Sequence, residues 1–292
     1  MNELISKAAT LVEVLPYIQK FRNEIVVIKF GGSAMEDHEL TKKTMRDIVL
    51  LECIGMKPVV VHGGGKAISA RLKELEIETK FINGLRYTCP KTMEVVDDVL
   101  HKVVNRNLIE GIREVGGKGQ SLSGKDILKA EKIYSMDTET GDPVDLGFVG
   151  NIVEVDTQLI EAIIQADIVP VITPLGKDDD EQVYNINADV AACKIAEALH
   201  ARKLVFLSDV PGILKDASCE EKGIIPTIKV DEVDGLIRDG IIGGGMLPKI
   251  KSSIHALKCG TNKVHMIDGR ILHSLLLELF TDKGIGTEIV KS

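Results

Sequence analysis

Ile25-Val-Val-Ile-Lys-Phe-Gly-Gly-Ser33 decides the fold. Its β-branched run, centred on Val26 to Phe30 and closed by two glycines, reads as a buried strand of a parallel sheet ending in a tight turn. Lys29 stands at that strand-to-turn junction, so its charge lies along the carboxyl edge of the sheet, where ligands of open α/β folds collect. A second glycine-rich segment, Gly243-Gly-Gly-Met-Leu-Pro-Lys249, opens a helix and carries Lys249 in its first turn. Each lysine is a point charge suited to phosphate oxygens, and each glycine run lets backbone N–H groups approach an anion. Neither segment has the P-loop order of Gly, four residues, then Gly-Lys-Ser/Thr. The pair therefore points to phosphoryl transfer by an enzyme outside that class.

Outward from residue 25, further β-branched runs end in glycine or aspartate: Pro58 to Val61, Asp167 to Ile172, Lys203 to Leu207 and Val264 to Ile267. Helical periodicity fills the intervals at Glu39 to Ile54, Lys66 to Leu75, Lys91 to Val115, Asp156 to Ala166, Ala188 to His200, Met246 to Lys258 and Ile271 to Phe280. This alternation predicts an α/β three-layer sandwich around a mostly parallel central sheet, arranged as two lobes. Gly116 to Asp156 breaks the rhythm with turn signals and predicts β-hairpins over the sheet edge. Before the first strand, Leu11, Val14, Leu15, Ile18 and Phe21 predict a helix over residues 8 to 22, kinked at Pro16. The expected division is 1–22 for that helix, 23–195 for one ligand-binding lobe and 196–292 for the other, so that each lobe holds one lysine loop.

A chain of 292 residues that is 44% hydrophobic is long and apolar enough for such cores. The five cysteines, Cys53, Cys89, Cys193, Cys219 and Cys259, contain no Cys-x-x-Cys pair, so no metal centre and no disulfide framework is expected. A reducing cytoplasm fits them, and no leader or bilayer-length apolar run is present. A net charge of -8 argues against a nucleic-acid partner, while leaving room for a small anion met by a few local cations.

Four further segments carry chemistry. Val61-His-Gly-Gly-Gly65 runs from a strand into a helix and offers the unpaired N–H groups of a helix start as an anion seat. His62 there is expected to be a hydrogen-bonded junction residue. Asn83-Gly-Leu-Arg-Tyr-Thr88 presents Arg86, whose guanidinium can clamp a carboxylate through two parallel N–H bonds. In Asn185-Ile-Asn-Ala-Asp189, two uses stay open: Asn185 or Asn187 binding a substrate with Asp189 orienting ammonium groups, or Asn187 or Asp189 capping the next helix. Leu207-Ser-Asp-Val-Pro-Gly-Ile-Leu214 turns through Pro-Gly into an apolar pair with a shape suited to an adenine edge.

Taken in order along nearly the whole chain, these six motifs resemble the amino acid kinase family, and within it the members that act on N-acetyl-L-glutamate. The resemblance implies a homo-oligomeric phosphotransferase of arginine biosynthesis. ATP with nucleotide-borne magnesium would phosphorylate the side-chain carboxylate of N-acetyl-L-glutamate. It implies that Lys29 and Lys249 stabilise the transition state and that Asp189 holds both. Gly64, Gly65, Arg86, Asn185 and Asn187 would bind the acyl substrate; Gly31, Gly32, Ser208, Asp209, Gly212, Gly244 and Lys249 would meet the nucleotide. The N-terminal helix and residues 262–287 resemble the arginine-inhibited members, in which that helix links dimers into a hexamer, a trimer of dimers. His265, Glu278, Gly284 and Gly286 would then form the arginine site. Sibling kinases acting on glutamate, aspartate, carbamate or UMP, and a non-catalytic nucleotide-binding regulator, remain alternatives. A Rossmann oxidoreductase does not, because the glycine runs lack Gly-x-Gly-x-x-Gly with its following acidic residue.

Overall fold

A computed structural model describes residues 1–137, 140–215, 223–244, 246–281 and 284–291. Cys219, Gly245, Asp282 and Lys283 lie outside the described residues. The chain begins with helix α1 (Asn2–Phe21), which contains Pro16. Strand β1 (Ile25–Phe30) follows, then α2 (His38–Cys53), β2 (Lys57–His62) and α3 (Gly65–Glu74). The short pair β3 (Phe81–Ile82) and β4 (Leu85–Arg86) leads into α4 (Pro90–Asp98), a π-helical stretch Val99–Asn105, and α5 (Arg106–Glu114). Next come β5 (Gly119–Ser123), β6 (Leu128–Met136), β7 (Pro143–Val155), α6 (Gln158–Gln165), β8 (Val169–Thr173), β9 (Leu175–Lys177) and β10 (Val183–Ile186). The remainder is α7 (Ala188–Ala198), β11 (Lys203–Ser208), β12 (Thr227–Lys229), α8 (Val233–Arg238), α9 (Met246–Lys258), β13 (Lys263–Asp268), α10 (Ser274–Leu279) and β14 (Thr287–Val290).

Eight strands form one sheet in the order β12-β14-β13-β11-β1-β2-β8-β5. The run from β13 to β5 is parallel, and β14 reverses direction against β13. Strands from the expected first lobe occupy one half and those beyond residue 195 the other. Period-two alternation sorts the side chains into two apolar layers. Val26, Ile28 and Phe30 of β1 join Met45 and Ile48 of α2, Ile112 of α5 and Leu279 of α10 on one face. Val27 faces the other way, with Ile163 of α6, Ala191 and Ile195 of α7, and Ile250 of α9. Alanines and Cys193 along α7 keep that helix close to the sheet. Both layers run across the whole sheet, which makes the two halves one body.

The hairpin expectation for residues 116–156 is half right. β6 and β7 form a long antiparallel hairpin that closes a small barrel with β9 and β10. β5, by contrast, is the edge strand of the main sheet, parallel to β8. Its Gln120 and Ser121 are exposed, so it lacks the apolar run by which inner strands announce themselves. The helix expected from Lys91 to Val115 is present but changes to π geometry over Val99–Asn105. Among the described residues no helix is long and apolar enough to cross a membrane.

Candidate active site

Alternation along β1 puts Lys29 on the face of Val27, under α7 and α9, at the carboxyl end of the strand. Asn187 caps α7: its Oδ1 accepts from Asp189 N at 2.9 Å and Val190 N at 3.2 Å. The cap sets Asp189 in the first turn, where the helix dipole favours a carboxylate. Lys29 Nζ lies 3.0 Å from Asp189 Oδ1, and Lys249 Nζ, from the first turn of α9, lies 3.1 Å from Asp189 Oδ2. Burial pushes the Asp189 carboxyl upward, but the two ammonium groups outweigh it and hold it below the usual carboxylate range. Asp189 is thus held ionised between two lysines, and its single negative charge leaves one formal positive charge unbalanced.

Lys29 and Asp189 border a cavity of about 560 Å³ that also receives Gly64, Gly65, Arg86, Asn185 and Asn187. All five expected acyl-site residues therefore share one space. Gly64 caps α3, and a Cβ there would sit 2.6 Å from Leu100 Cδ2, so any larger residue would have to push the end of that buried leucine aside. The start of α3 opens into the cavity with its N–H groups unmasked. Arg86 ends the β3–β4 hairpin, whose turn residues Asn83 and Gly84 have φ of 49° and 82°, as a two-residue type I′ turn demands. The Arg86 Nη2 donates to Gly65 O at 2.9 Å and Ser69 Oγ at 2.7 Å, and the Phe81 ring lies 4.7 Å from its guanidinium carbon. Nη1 is buried with no hydrogen-bond partner, a donor left over for a ligand. Asn185 Nδ2 donates to Thr88 Oγ1 at 3.2 Å.

Behind the cavity, His62 is fully buried. Its Nδ1–H donates to Gly63 O at 2.9 Å, and its Nε2 accepts from Asn105 Nδ2 at 3.1 Å. Asn105 also donates to Val171 O at 2.8 Å. Burial lowers the His62 pKa to about 4, so the ring is neutral and braces the glycine turn, the junction role expected of it. The brace depends on the π turn, which delivers Asn105 to His62; that turn, Ser69 and Leu100 escape sequence reasoning, because none has a local motif.

The expected nucleotide residues do not share one cavity: Gly31 lies against Lys29, and the rest are spread over three turns. Gly31 and Gly32 follow β1; Gly32 has φ 77°, and a Cβ on it would collide with the Asp209 carboxylate. Ser208 ends β11 and accepts from Gly269 N at 2.9 Å. Gly212 has φ 137° and packs on Thr287, whose Oγ1 accepts from Ile213 N at 2.8 Å. Gly244, with φ 52°, lies in the turn that opens α9. Gly32 alone of these borders the 560 Å³ cavity.

A second pocket, about 190 Å³, lies on the opposite face of the sheet. His265, Glu278 and Gly284 line it, as do Tyr17, Lys20 and Phe21 of α1, and Lys203, Lys263 and Glu288 from strands. His265 Nδ1–H donates to Glu278 Oε1 at 2.6 Å, and Glu278 Oε2 accepts from Ile285 N at 2.7 Å and Gly286 N at 3.2 Å. These bonds outweigh the burial of Glu278, hold its carboxyl below the usual range, and leave His265 Nε2 buried without a partner. Lys203 stacks on Phe21, 4.8 Å from the ring centroid, and burial with Lys263 nearby lowers its pKa to about 8. Tyr17 meets Phe280 edge-on at 6.3 Å. The α1 and strand contributors carry no sequence motif; only their convergence reveals them.

Comparison with known proteins places this geometry. The model of the amino acid kinase family matches residues 24–268. A protein of Akkermansia muciniphila named acetylglutamate kinase is 46% identical over 292 residues, covering 100% of this chain and 98% of its own. One of the same name from Caldanaerobacter subterraneus subsp. tengcongensis is 50% identical over 289 residues, covering 98% and 94%. Among solved structures, an N-acetylglutamate synthase of Neisseria gonorrhoeae complexed with coenzyme A and L-arginine superposes with a TM-score of 0.81 at 25% identity. That match covers 98% of this chain and 65% of the synthase chain, which is thus considerably longer.

Proposed function

The chain belongs to the amino acid kinase family, and on that premise we propose that it transfers the γ-phosphoryl group of ATP to the side-chain carboxylate of N-acetyl-L-glutamate, a step of arginine biosynthesis. The relatives named acetylglutamate kinase, matched over nearly their full length, support this activity. The single observation that carries the mechanism is Asp189 held between Lys29 and Lys249 beside the cavity.

A glutamate side chain has a reference pKa of about 4.3, so the nucleophile is already ionised at neutral pH and no general base is needed. The barrier is charge repulsion. One carboxylate oxygen forms a bond to the γ-phosphorus while the bond to the ADP oxygen breaks, and ADP leaves with the electron pair. Lys29 and Lys249 offset the charge gathered on the transferring group, and Asp189 keeps both ammonium groups converged on it. Gly64 and Gly65 supply backbone donors, the free Nη1 of Arg86 takes the α-carboxylate, and Asn185 with Asn187 hold the amide. The nucleotide lies along Gly31, Gly32, Ser208, Asp209, Gly212 and Gly244, with Lys249 at its phosphates. Magnesium would be carried on the nucleotide phosphates, where it would offset their charge; Asp189, the carboxylate between the two lysines, is already neutralised by them and would be a poor cation ligand. In this scheme residues 23–195 are the acyl half and 196–292 the nucleotide half, and the enzyme works in the cytoplasm. The acetyl group keeps the α-amine from attacking the acyl phosphate product. A hydroxylamine-trapping assay with ATP and magnesium tests the assignment: hydroxamate forms with N-acetyl-L-glutamate, and faster turnover of glutamate, aspartate, carbamate or UMP overturns it.

The second pocket supports feedback inhibition by arginine. It joins carboxylates to ammonium groups, as a zwitterion requires, and His265 Nε2 is an acceptor in need of a donor such as a guanidinium. Within the nucleotide half, a short path of two hydrogen bonds and one peptide link leads from it to residues 208–213: Glu278 accepts from Gly286 N, and the next residue, Thr287, accepts from Ile213 N. α1 lines the same pocket and exposes Leu4, Ile5, Leu11, Val12 and Leu15, an apolar set suited to a second copy of the chain. The proposed assembly is a trimer of dimers linked through α1. Sedimentation of the whole chain and of one lacking residues 1–22, with and without arginine, tests it: the truncated chain sediments as a smaller species, and an unchanged assembly overturns the role of α1.

A further inference from the structure

We propose that Glu197, His255 and Cys259 form a binding site for a zinc-class divalent cation, on the outer surface of the nucleotide half and separate from both pockets. Glu197 comes from the last turn of α7, and His255 from the last turn of α9. Cys259 N donates to His255 O at 3.0 Å, which continues the helical turn and brings residues 255 and 259 to one face. The three ligand atoms all lie within 4.8 Å of one another. His255 Nε2 is 3.5 Å from Glu197 Oε2 and 3.7 Å from Cys259 Sγ. A tetrahedral zinc with bonds of about 2.0–2.3 Å to nitrogen, oxygen and sulfur needs ligand separations of roughly 3.3–3.7 Å. The apo spacing is therefore close to what the cation requires, without rebuilding either helix.

The seat already attracts a cation. Lys194 Nζ stands 3.4 Å from Glu197 Oε2 and 3.3 Å from His255 Nε2, to which it donates, so that nitrogen presents its lone pair inward. An ammonium on a flexible stem can swing to solvent when a divalent ion with a higher charge and three direct ligands arrives. The His255 side chain is 54% exposed, which leaves an open approach. One imidazole, one thiolate and one carboxylate favour zinc or cobalt over magnesium or calcium, whose preferred ligands are oxygens alone. A fourth position remains for water.

The proposal departs from the expectation that the chain has no metal centre. That expectation rested on cysteine pairs, whereas these ligands converge from two helices and only His255 and Cys259 share a local spacing. The site also has a mechanical address. α7 begins beside Asp189 and α9 carries Lys249, so an ion bridging their far ends would clamp the two helices that bring this pair together.

Cobalt(II) titrated into the full-length apoprotein is the test. Expected are one equivalent bound, a thiolate-to-cobalt charge-transfer band with tetrahedral d–d intensity, and displacement by zinc. Cys259→Ser abolishes the charge-transfer band, and His255→Ala or Glu197→Gln weakens binding about tenfold or more. Lys194→Ala tightens it, because no ammonium has to leave. All four positions are at or near the surface, and circular dichroism verifies that the variants fold. Absence of the band in the unaltered protein, or its survival in Cys259→Ser, overturns the proposal and leaves the cluster as a lysine-centred surface network.

Discussion

In the active-site cavity Lys29 leaves the carboxyl end of β1 toward α7 and α9; in the second pocket Lys203 leaves the amino end of β11 toward α1 on the opposite face. Five steps along a strand separate the two ends of a six-residue strand such as β11, roughly 17 Å at about 3.3 Å per residue. The same residue type then does different work. Lys29 meets Asp189 directly and shares it with a second lysine, which leaves surplus positive charge for an anion in flight. Lys203 faces an aromatic ring and another lysine, and burial drives its pKa down to about 8. One site brings two lysines onto one carboxylate, while the other sets lysines, carboxylates and an aromatic ring around a small pocket.

Removing a lysine of the first site separates the two most sharply. Lys29→Ala or Lys249→Ala should lower kcat by about 10²- to 10³-fold, the usual cost of one electrostatic donor aimed at a transition state. Arginine binding measured by calorimetry should stay within a few-fold of the unaltered protein. Near-normal kcat at saturating substrates would remove both lysines from the mechanism.

Each site also buries a histidine, and the pair sharpens the contrast. His265 has a carboxylate partner in Glu278, while His62 has only a carbonyl and an amide. The folded-state pKa of His62, about 4, lies below the unfolded value near 6.5. The unfolded chain therefore binds the proton first as pH falls. Stability is complete above about pH 6.5, declines toward pH 4, and loses about 3 kcal/mol from this residue. His62→Gln keeps an acceptor for Asn105 and should flatten that part of the acid limb in urea melts. An identical pH slope in the variant would show that His62 does not titrate in this window.

Arg86 measures how much of the first site is grip and how much is catalysis. In Arg86→Lys the ammonium cannot serve Gly65 O, Ser69 Oγ and a ligand with one planar fork. A charged hydrogen bond is worth about 1.5–3 kcal/mol, so KM for N-acetyl-L-glutamate should rise about 10- to 100-fold with kcat nearly unchanged. A fall in kcat at constant KM would move Arg86 from binding to the transition state.

What the amino acids disclose on their own follows the same divide. Lys29 with Gly31 and Gly32, the Gly63–Gly65 turn and Lys249 in its helix are local devices, each complete within a few residues, so they stand out in sequence and the fold merely brings them together. Asn187 caps α7 and also lines the cavity, so of the two uses left open the structure shows the cap and places the same residue beside the space where the other would act. The π turn at Val99–Asn105 is invisible beforehand, because it reflects a backbone slip selected by the fit of Asn105 to His62 and Val171. Polar β5 hides because an edge strand with exposed side chains needs no apolar run. Lys203, Lys263 and Glu288 become a pocket only when strands far apart in sequence lie side by side.

The smallest expected effect concerns the second pocket. Glu278 uses both carboxylate oxygens to accept N–H donors, from His265 on one side and from Ile285 and Gly286 on the other. In Glu278→Gln one of these directions must face an amide N–H₂, donor against donor, and the negative charge that would meet a guanidinium is gone. Arginine inhibition should weaken about tenfold, the loss of one charged hydrogen bond of about 1.4 kcal/mol or more. Uninhibited kcat should hold, because Lys29, Asp189 and Lys249 lie on the other face of the sheet. If inhibition persists unchanged, the guanidinium is held elsewhere. If kcat falls without arginine, the path through Gly286 and Thr287 to Ile213 supports the nucleotide segment even when the pocket is empty, and the two regions are mechanically one.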